Sequence, residues 1–195
     1  MNKTKIIILC SVLLLMAAQV YAPVSMMLRY EHILDTGTPF RFAVEPIDPA
    51  DPFKGRYVRL NFPIQQGLMS DLEQPIKKNN FVPRGKAYAI LSTNDDGLAM
   101  ISKIVASEPN DGDYVAVKSR YFLEEKYSIR FPFDRYYAEE SKAPKIESLV
   151  WNWQGDENQG QSRPAVIAQV HIKNGHGVIS ELYVDDIPIL DYLEN

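Results

Sequence analysis

The chain has 195 residues, 46 % of them hydrophobic, with 21 Lys and Arg set against 25 Asp and Glu for a net charge of −4. That balance, with no basic stripe along the sequence, argues against a nucleic-acid partner. The single cysteine, Cys10, lies in an apolar N-terminal run, so an intrachain disulfide is excluded. A domain of about 165 residues needs no such staple, because it buries roughly two-thirds of its unfolded surface.

Residues Ile6 to Leu28 carry no charged side chain, and Lys3 and Lys5 precede them. At 1.5 Å per residue such a helix is about 34 Å long, enough for a hydrocarbon core of about 30 Å. A cleaved signal peptide is the competing reading, since Val20-Tyr21-Ala22 has a small-x-small pattern. Pro23 directly after that point presents a scissile bond poorly, and the apolar character continues to Leu28, which favours an uncleaved anchor. Lys3 and Lys5, weighed against Arg29 and Glu31, place the N-terminus in the cytoplasm. The expected layout is a single-pass cell (inner) membrane protein, with residues 1–28 as anchor or signal-like segment and 29–195 as one extracytoplasmic domain.

Arg29 to Thr38 has helical spacing at Tyr30, Ile33 and Leu34, ended by Asp35-Thr36-Gly37. Phe40 to Ile47 reads as a strand. Pro49 and Pro52 bend the chain before Gly55, and from Arg56 the pattern alternates: Val58, Leu60 and Phe62 inward, Tyr57, Arg59 and Asn61 outward. Gly67 to Gln74 reads as a short helix on Leu68 and Leu72. Lys86 to Ser92 and Leu98 to Ala106 are strands joined by Asn94-Asp95-Asp96-Gly97, a strong hairpin turn. A further strand starts at Asp113, Tyr121 to Phe131 reads as strand, and Phe133 to Ser141 as a helical turn. Ile146 to Trp153 is extended and aromatic, followed by the polar loop 154–163. Ala165 to Lys173, with Val166, Ala168, Val170 and Ile172 inward, pairs through Asn174-Gly175-His176-Gly177 with Val178 to Val184. Short strands separated by Gly, Asn and Asp turns predict a mainly β fold: one N-terminal transmembrane helix, then an antiparallel, barrel- or sandwich-like domain.

Gly55-Arg56-Tyr57, then Leu60 and Phe62, resembles the signature of the GDYXXLXY protein family. Gln19 with Pro23-Val24-Ser25-Met26, the Asp48-Pro49-Ala50-Asp51 entry, Tyr127-Ser128-Ile129, the Arg135 to Glu140 segment with Ile146-Glu147, and the final hairpin are similar to that family as well. Arg56 stands where the family has Asp, Phe62 where it has Tyr, and Ser141 where it usually has Gly. The resemblance implies a membrane-anchored protein of uncharacterised activity that accompanies polytopic membrane proteins. Its candidate binding residues are Gly55, Tyr57, Arg59, Leu60, Phe62, Tyr136, Glu139 and Glu140.

An alternative rests on Ser25, at the outer end of the span, and Lys103, ahead of Glu108-Pro109 and Gly112-Asp113. This layout resembles the signal peptidases, in which a lysine of lowered pKa activates a serine nucleophile. Ser25 lacks the flanking residues of that motif, and its Pro-Gly-Asp is interrupted here. Glu139, Glu140 and Glu147 are weaker acid–base candidates. His171 and His176 flank a turn and share no helix face, so neither a metal nor another cofactor is implied. The aromatics Tyr57, Tyr136, Tyr137, Trp151 and Trp153 fit a protein interface or the core. The expected function is accordingly a non-enzymatic interaction subunit of a polytopic membrane protein.

Overall fold

A computed structural model of the chain describes residues 3–45, 57–72, 85–123, 126–138, 142, 145–146 and 165–194. It opens on one helix, α1 (Lys3–Thr36), 34 residues long. Within it an apolar window reaches a mean hydropathy of 2.2, so α1 is long and apolar enough to cross a membrane. The helical stretch anticipated after Leu28 is the continuation of this same helix. Pro23 lies inside it and cannot donate to the Gln19 carbonyl, a defect that membrane helices tolerate.

The helix stops at Gly37, whose amide donates to the Ile33 carbonyl at 2.8 Å. A Cβ at Gly37 would lie 2.5 Å from that carbonyl oxygen and 3.0 Å from the Ile172 carbonyl oxygen. Only glycine allows the chain to turn this tightly from helix into sheet.

The remainder is mainly antiparallel β. The strands are β1 (Thr38–Ala43), β2 (Tyr57–Arg59), β3 (Gln66–Leu68), β4 (Gly85–Thr93), β5 (Ala99–Val105) and β6 (Tyr114–Leu123). They continue as β7 (Lys126–Arg130), β8 (Arg135–Tyr137), β9 (Val166–Lys173), β10 (His176–Val184) and β11 (Ile187–Pro188), and a short helix α2 (Ile189–Tyr192) ends the described chain. They form a four-stranded sheet β1-β9-β10-β11, a ribbon β2-β8, and a five-stranded sheet β3-β7-β6-β4-β5. Single bridges Arg41↔Leu98, Glu45↔Asn61 and Val115↔Gly175 tie these together, so the sheets curve around one interior.

The alternation read from the sequence holds. Val58, Leu60 and Phe62 are buried, as are Val166, Ala168, Val170 and Ile172. At the centre Phe42, Phe62, Phe131 and Phe133 pack ring to ring. Phe42 makes edge contacts at 5.5 Å with each of the other three, and Phe131 stacks on Phe133 at 5.0 Å. These residues come from β1, from after β2, and from either end of the β7–β8 connection. The cluster therefore locks all three sheets together, each buried ring contributing about 1.5–3 kcal/mol.

Two expectations are corrected and one is refined. The helix expected over Gly67 to Gln74 is instead β3 and a 3-10 turn (Met69–Asp71), because Gln66–Leu68 pairs with β7. Leu72 is buried while Leu68 is exposed, so the two do not share a helical face. The helical turn expected from Phe133 to Ser141 contains β8, which supplies the ladder partner that β2 needs. Tyr121 to Phe131 divides between the end of β6 and β7, two strands paired with each other. The extended run to Trp153, apart from the helical and buried Ile146, lies outside the described residues, as does the polar loop.

Candidate functional site

The β2–β8 ribbon has an inner and an outer face. Val58 and, in part, Tyr136 turn inward; Tyr57, Arg59, Arg135 and Tyr137 turn outward. The register sets Tyr57 opposite Tyr137 and Arg59 opposite Arg135. The tyrosine rings lie 6.1 Å apart, and the Arg135 guanidinium sits over the Tyr57 ring at 4.7 Å. Two like charges directly opposite across a ladder repel. Here one carboxylate relieves them: Asp134 lies 3.8 Å from both Arg59 and Arg135 and accepts a 2.5 Å bond from Arg130. Three arginines thus surround a single acid that is 17 % exposed, leaving excess positive charge beside an aromatic pair. A hydrogen bond with Tyr137, together with the Tyr57 ring, raises the pKa of Arg135 further above its usual value.

Beneath this face Tyr136 donates to Glu181 at 3.1 Å. The ladder between β9 and β10 slips between Ile179 and Glu181, a bulge that aims the carboxylate at the phenol. Burial, reinforced by the Glu181 charge and hydrogen bond, pushes the Tyr136 phenol well above its ordinary pKa.

A groove of about 660 Å³ runs between β8 and β10, lined among others by Tyr30, Phe133, Arg135, Tyr137 and Gly177. A Cβ at Gly177 would come within 2.4 Å of the Phe133 ring, so the floor here requires glycine. Tyr30 comes from α1, two residues past Leu28, or about 3 Å along the helix axis. The groove therefore opens at the level where the apolar run ends. Tyr137, 69 % exposed, forms its lip.

The residues singled out from sequence fall into three places. Tyr57, Arg59 and Tyr136 meet in this site. Leu60 and Phe62 are core residues, 1 % exposed each, and act by holding β2 in position; they are closed to a partner. Gly55, Glu139 and Glu140 lie outside the described residues, with Glu147, Trp151 and Trp153. Ser25 donates its hydroxyl to the Ala22 carbonyl within α1 at 2.8 Å, and Lys103 sits on β5 opposite Ile90. No hydrogen bond joins those two. Among the described residues, no three His, Cys, Asp or Glu side chains gather as metal ligands would. Arg130, Asp134 and Glu181 escaped the sequence reading; the four-residue spacing of Arg130 and Asp134 has helical appearance, whereas here it brackets a Phe-Pro-Phe turn.

Fold and site together define a mainly β domain mounted directly on one N-terminal helix able to span a membrane, with an arginine-tyrosine face beside that helix. The chain belongs to the GDYXXLXY protein family, whose model matches residues 19–182. That range runs from the middle of α1 into β10, so the second half of the helix and most of the β domain fall within the family match. No curated protein and no solved structure matches the chain.

Proposed function

We propose that this protein is a non-enzymatic accessory subunit of a polytopic membrane protein, anchored by α1 with its β domain outside the cytoplasm. The observation that carries the reading is the outward cluster of Tyr57, Arg59, Arg135 and Tyr137 around Asp134, bordering a groove at the foot of the anchor. Tyrosine and arginine are the residue types that dominate binding energy at protein interfaces. A second feature supports it from within the bilayer. Gln19 is exposed on α1, and Pro23 leaves the Gln19 carbonyl without its helical donor. Hydrocarbon satisfies neither group, and a neighbouring transmembrane helix satisfies both.

The test uses the full chain in its native membrane, with a photo-crosslinking amino acid at Tyr137, at Gln19, or at Asp95 in the β4–β5 turn. The expected result is one multi-span protein captured from Tyr137 and from Gln19 and absent from the Asp95 control. Tyr57→Ala with Arg59→Ala should abolish the Tyr137 adduct. Identical adducts from all three positions, or adducts to lipid alone, would sink the proposal.

A further inference from the structure

A second groove, about 860 Å³, lies on the other side of Asp134, over β4, β6 and β7. Its charge is out of keeping with a chain of net charge −4: Lys86, Lys118, Arg120 and Arg130 line it against the one carboxylate of Asp134. The register makes the arrangement sharper. Lys86 is directly opposite Lys118 on β4 and β6, and Lys118 is directly opposite Arg130 on β6 and β7. Three cations therefore stand in one row across three adjacent strands, with Cβ atoms about 5 Å apart, an arrangement that disfavours the free fold. Arg130 is relieved by Asp134 and Lys86 leans over the Tyr88 ring at 5.1 Å. Lys118 in the middle has no acidic partner among the described residues.

Ser119, next to Lys118, is only 6 % exposed and by the alternation of β6 shares the inward face with its ladder partner Ile129, so it stands behind the row and not in it. The β6–β7 ladder also slips between Ser119 and Tyr121, which leaves Arg120 as an extra residue on this rim.

We infer that this groove is a binding site for a phosphate-bearing anion, with Lys86, Lys118 and Arg130 contacting its oxygens. A planar carboxylate is satisfied by one guanidinium fork. A row of cations drawn from three strands suits a tetrahedral group that carries three or more acceptor oxygens. The anion neutralises a row of charge that the fold leaves uncompensated, which is the physical reason for keeping these residues in register. Phospholipid headgroups and soluble phosphate share this chemistry, and α1 puts the domain within reach of the former. The site adjoins the partner surface proposed above at Arg130 and Asp134, but Lys86 and Lys118 take no part in that surface.

The experiment uses the full chain in a non-ionic detergent at constant ionic strength, titrated calorimetrically with inorganic phosphate and with soluble short-chain phosphatidylglycerol, phosphatidylcholine serving as control. Saturable binding of at least one of the first two is expected, weakened about tenfold by Lys118→Gln, since hydrogen bonds to a charged group are worth that much or more. Ser119→Ala, on the opposite face of β6, should leave binding unchanged. Phosphate that displaces phosphatidylglycerol identifies a general phosphate site. Phosphatidylglycerol binding that is lost in Lys118→Gln and resists phosphate identifies the lipid headgroup. No saturable binding of either probe, or equal binding by wild type and Lys118→Gln, overturns the inference.

Discussion

Asp134 is where the two grooves meet, and its replacement by asparagine tests whether the arginine cluster is a built feature. The 2.5 Å bond from Arg130 is a charge-assisted contact to a carboxylate that is 17 % exposed. Such a bond contributes about 1.5–3 kcal/mol, and the low end applies because Arg130 itself is 41 % exposed. The 3.8 Å approaches of Arg59 and Arg135 involve side chains 57 % and 52 % exposed, so solvent screens them and each adds little. The asparagine side chain has the same shape, and the backbone bond from the Leu60 amide to the carbonyl of this residue is kept, so packing is unchanged. Asp134→Asn should therefore destabilise the domain by about 2 kcal/mol, lowering its melting temperature by about 4–8 °C for a chain of this size. The assay is thermal unfolding of the full chain in detergent, followed by near-UV circular dichroism. Arg130→Gln and the double variant complete a cycle whose coupling energy should exceed about 1 kcal/mol. In about 1 M salt the contributions of Arg59 and Arg135 should vanish while that of Arg130 largely persists, because the former are 3.8 Å contacts of more exposed side chains and the latter is a direct 2.5 Å bond. A melting temperature within about 1 °C of wild type, or a coupling energy near zero, would refute the assignment of Asp134 as the organising charge.

Other substitutions probe the same region. Gly177→Ala drives a methyl group to within 2.4 Å of the Phe133 ring, which is already stacked on Phe131, so a loss of about 1–3 kcal/mol is expected in denaturant unfolding; wild-type stability would mean that the groove floor yields. Phe62→Tyr restores the family's residue but puts a hydroxyl among three other phenylalanine rings, at a position 1 % exposed. It should cost about 1–3 kcal/mol unless the hydroxyl finds an acceptor, and an unchanged unfolding midpoint would show that it does. Tyr136 is held protonated in the fold above its ordinary range, so its stabilising contribution is complete below about pH 10 and is lost as pH rises beyond that value. The melting temperature should fall on going from about pH 9.5 to 11, and fall less steeply in Tyr136→Phe; parallel curves would exclude Tyr136 as the cause.

How much of this was legible in the sequence depended on how local the cause was. Asn94 to Gly97 and Asn174 to Gly177 declare hairpins because the required backbone is written in the turn itself; Asn174 and Gly175 both adopt positive φ, at 49° and 76°. Val166, Ala168, Val170 and Ile172 show their buried face by alternation alone. By contrast β3 and β8 are three-residue strands whose existence depends on partners far along the chain, and neither carries a local strand pattern strong enough to outweigh helix-like spacing. The candidate site suffered in the same way. Tyr57 and Arg59 were visible as the outward residues of one strand, whereas Arg130, Asp134 and Glu181 become partners only after β2 pairs with β8 and β10 acquires its bulge. Leu60 and Phe62, drawn into the site by the family signature, show that a signature can mark what the fold needs as much as what a partner touches.

The connection between helix and sheet gives the surface its meaning. α1 runs without interruption from Lys3 to Thr36, so the eight residues from Arg29 onward continue the apolar run by about 12 Å as a rigid rod. Its end is fixed to β9 on several sides. Ile33 is 4 % exposed, Lys173 donates to the Thr36 hydroxyl at 2.5 Å and approaches the His32 ring at 3.2 Å, and Gly37 packs on the Ile172 backbone. Lys173 also sets a positive charge at the carbonyl end of the helix dipole. The rod carries Gln19 and Pro23 in its apolar part and Tyr30 at the groove, so under the accessory proposal a contact at Gln19 and a contact at Tyr137 belong to one rigid body. In the accessory reading, the first contact then presents the second at high effective concentration, and weak individual interfaces combine into firm association. A glycine pair inserted between Leu28 and Tyr30 would leave both surfaces intact and break only their coupling. It should therefore reduce partner recovery as much as loss of the Tyr57 and Arg59 side chains does, and undiminished recovery would show that the rigid connection is irrelevant to binding.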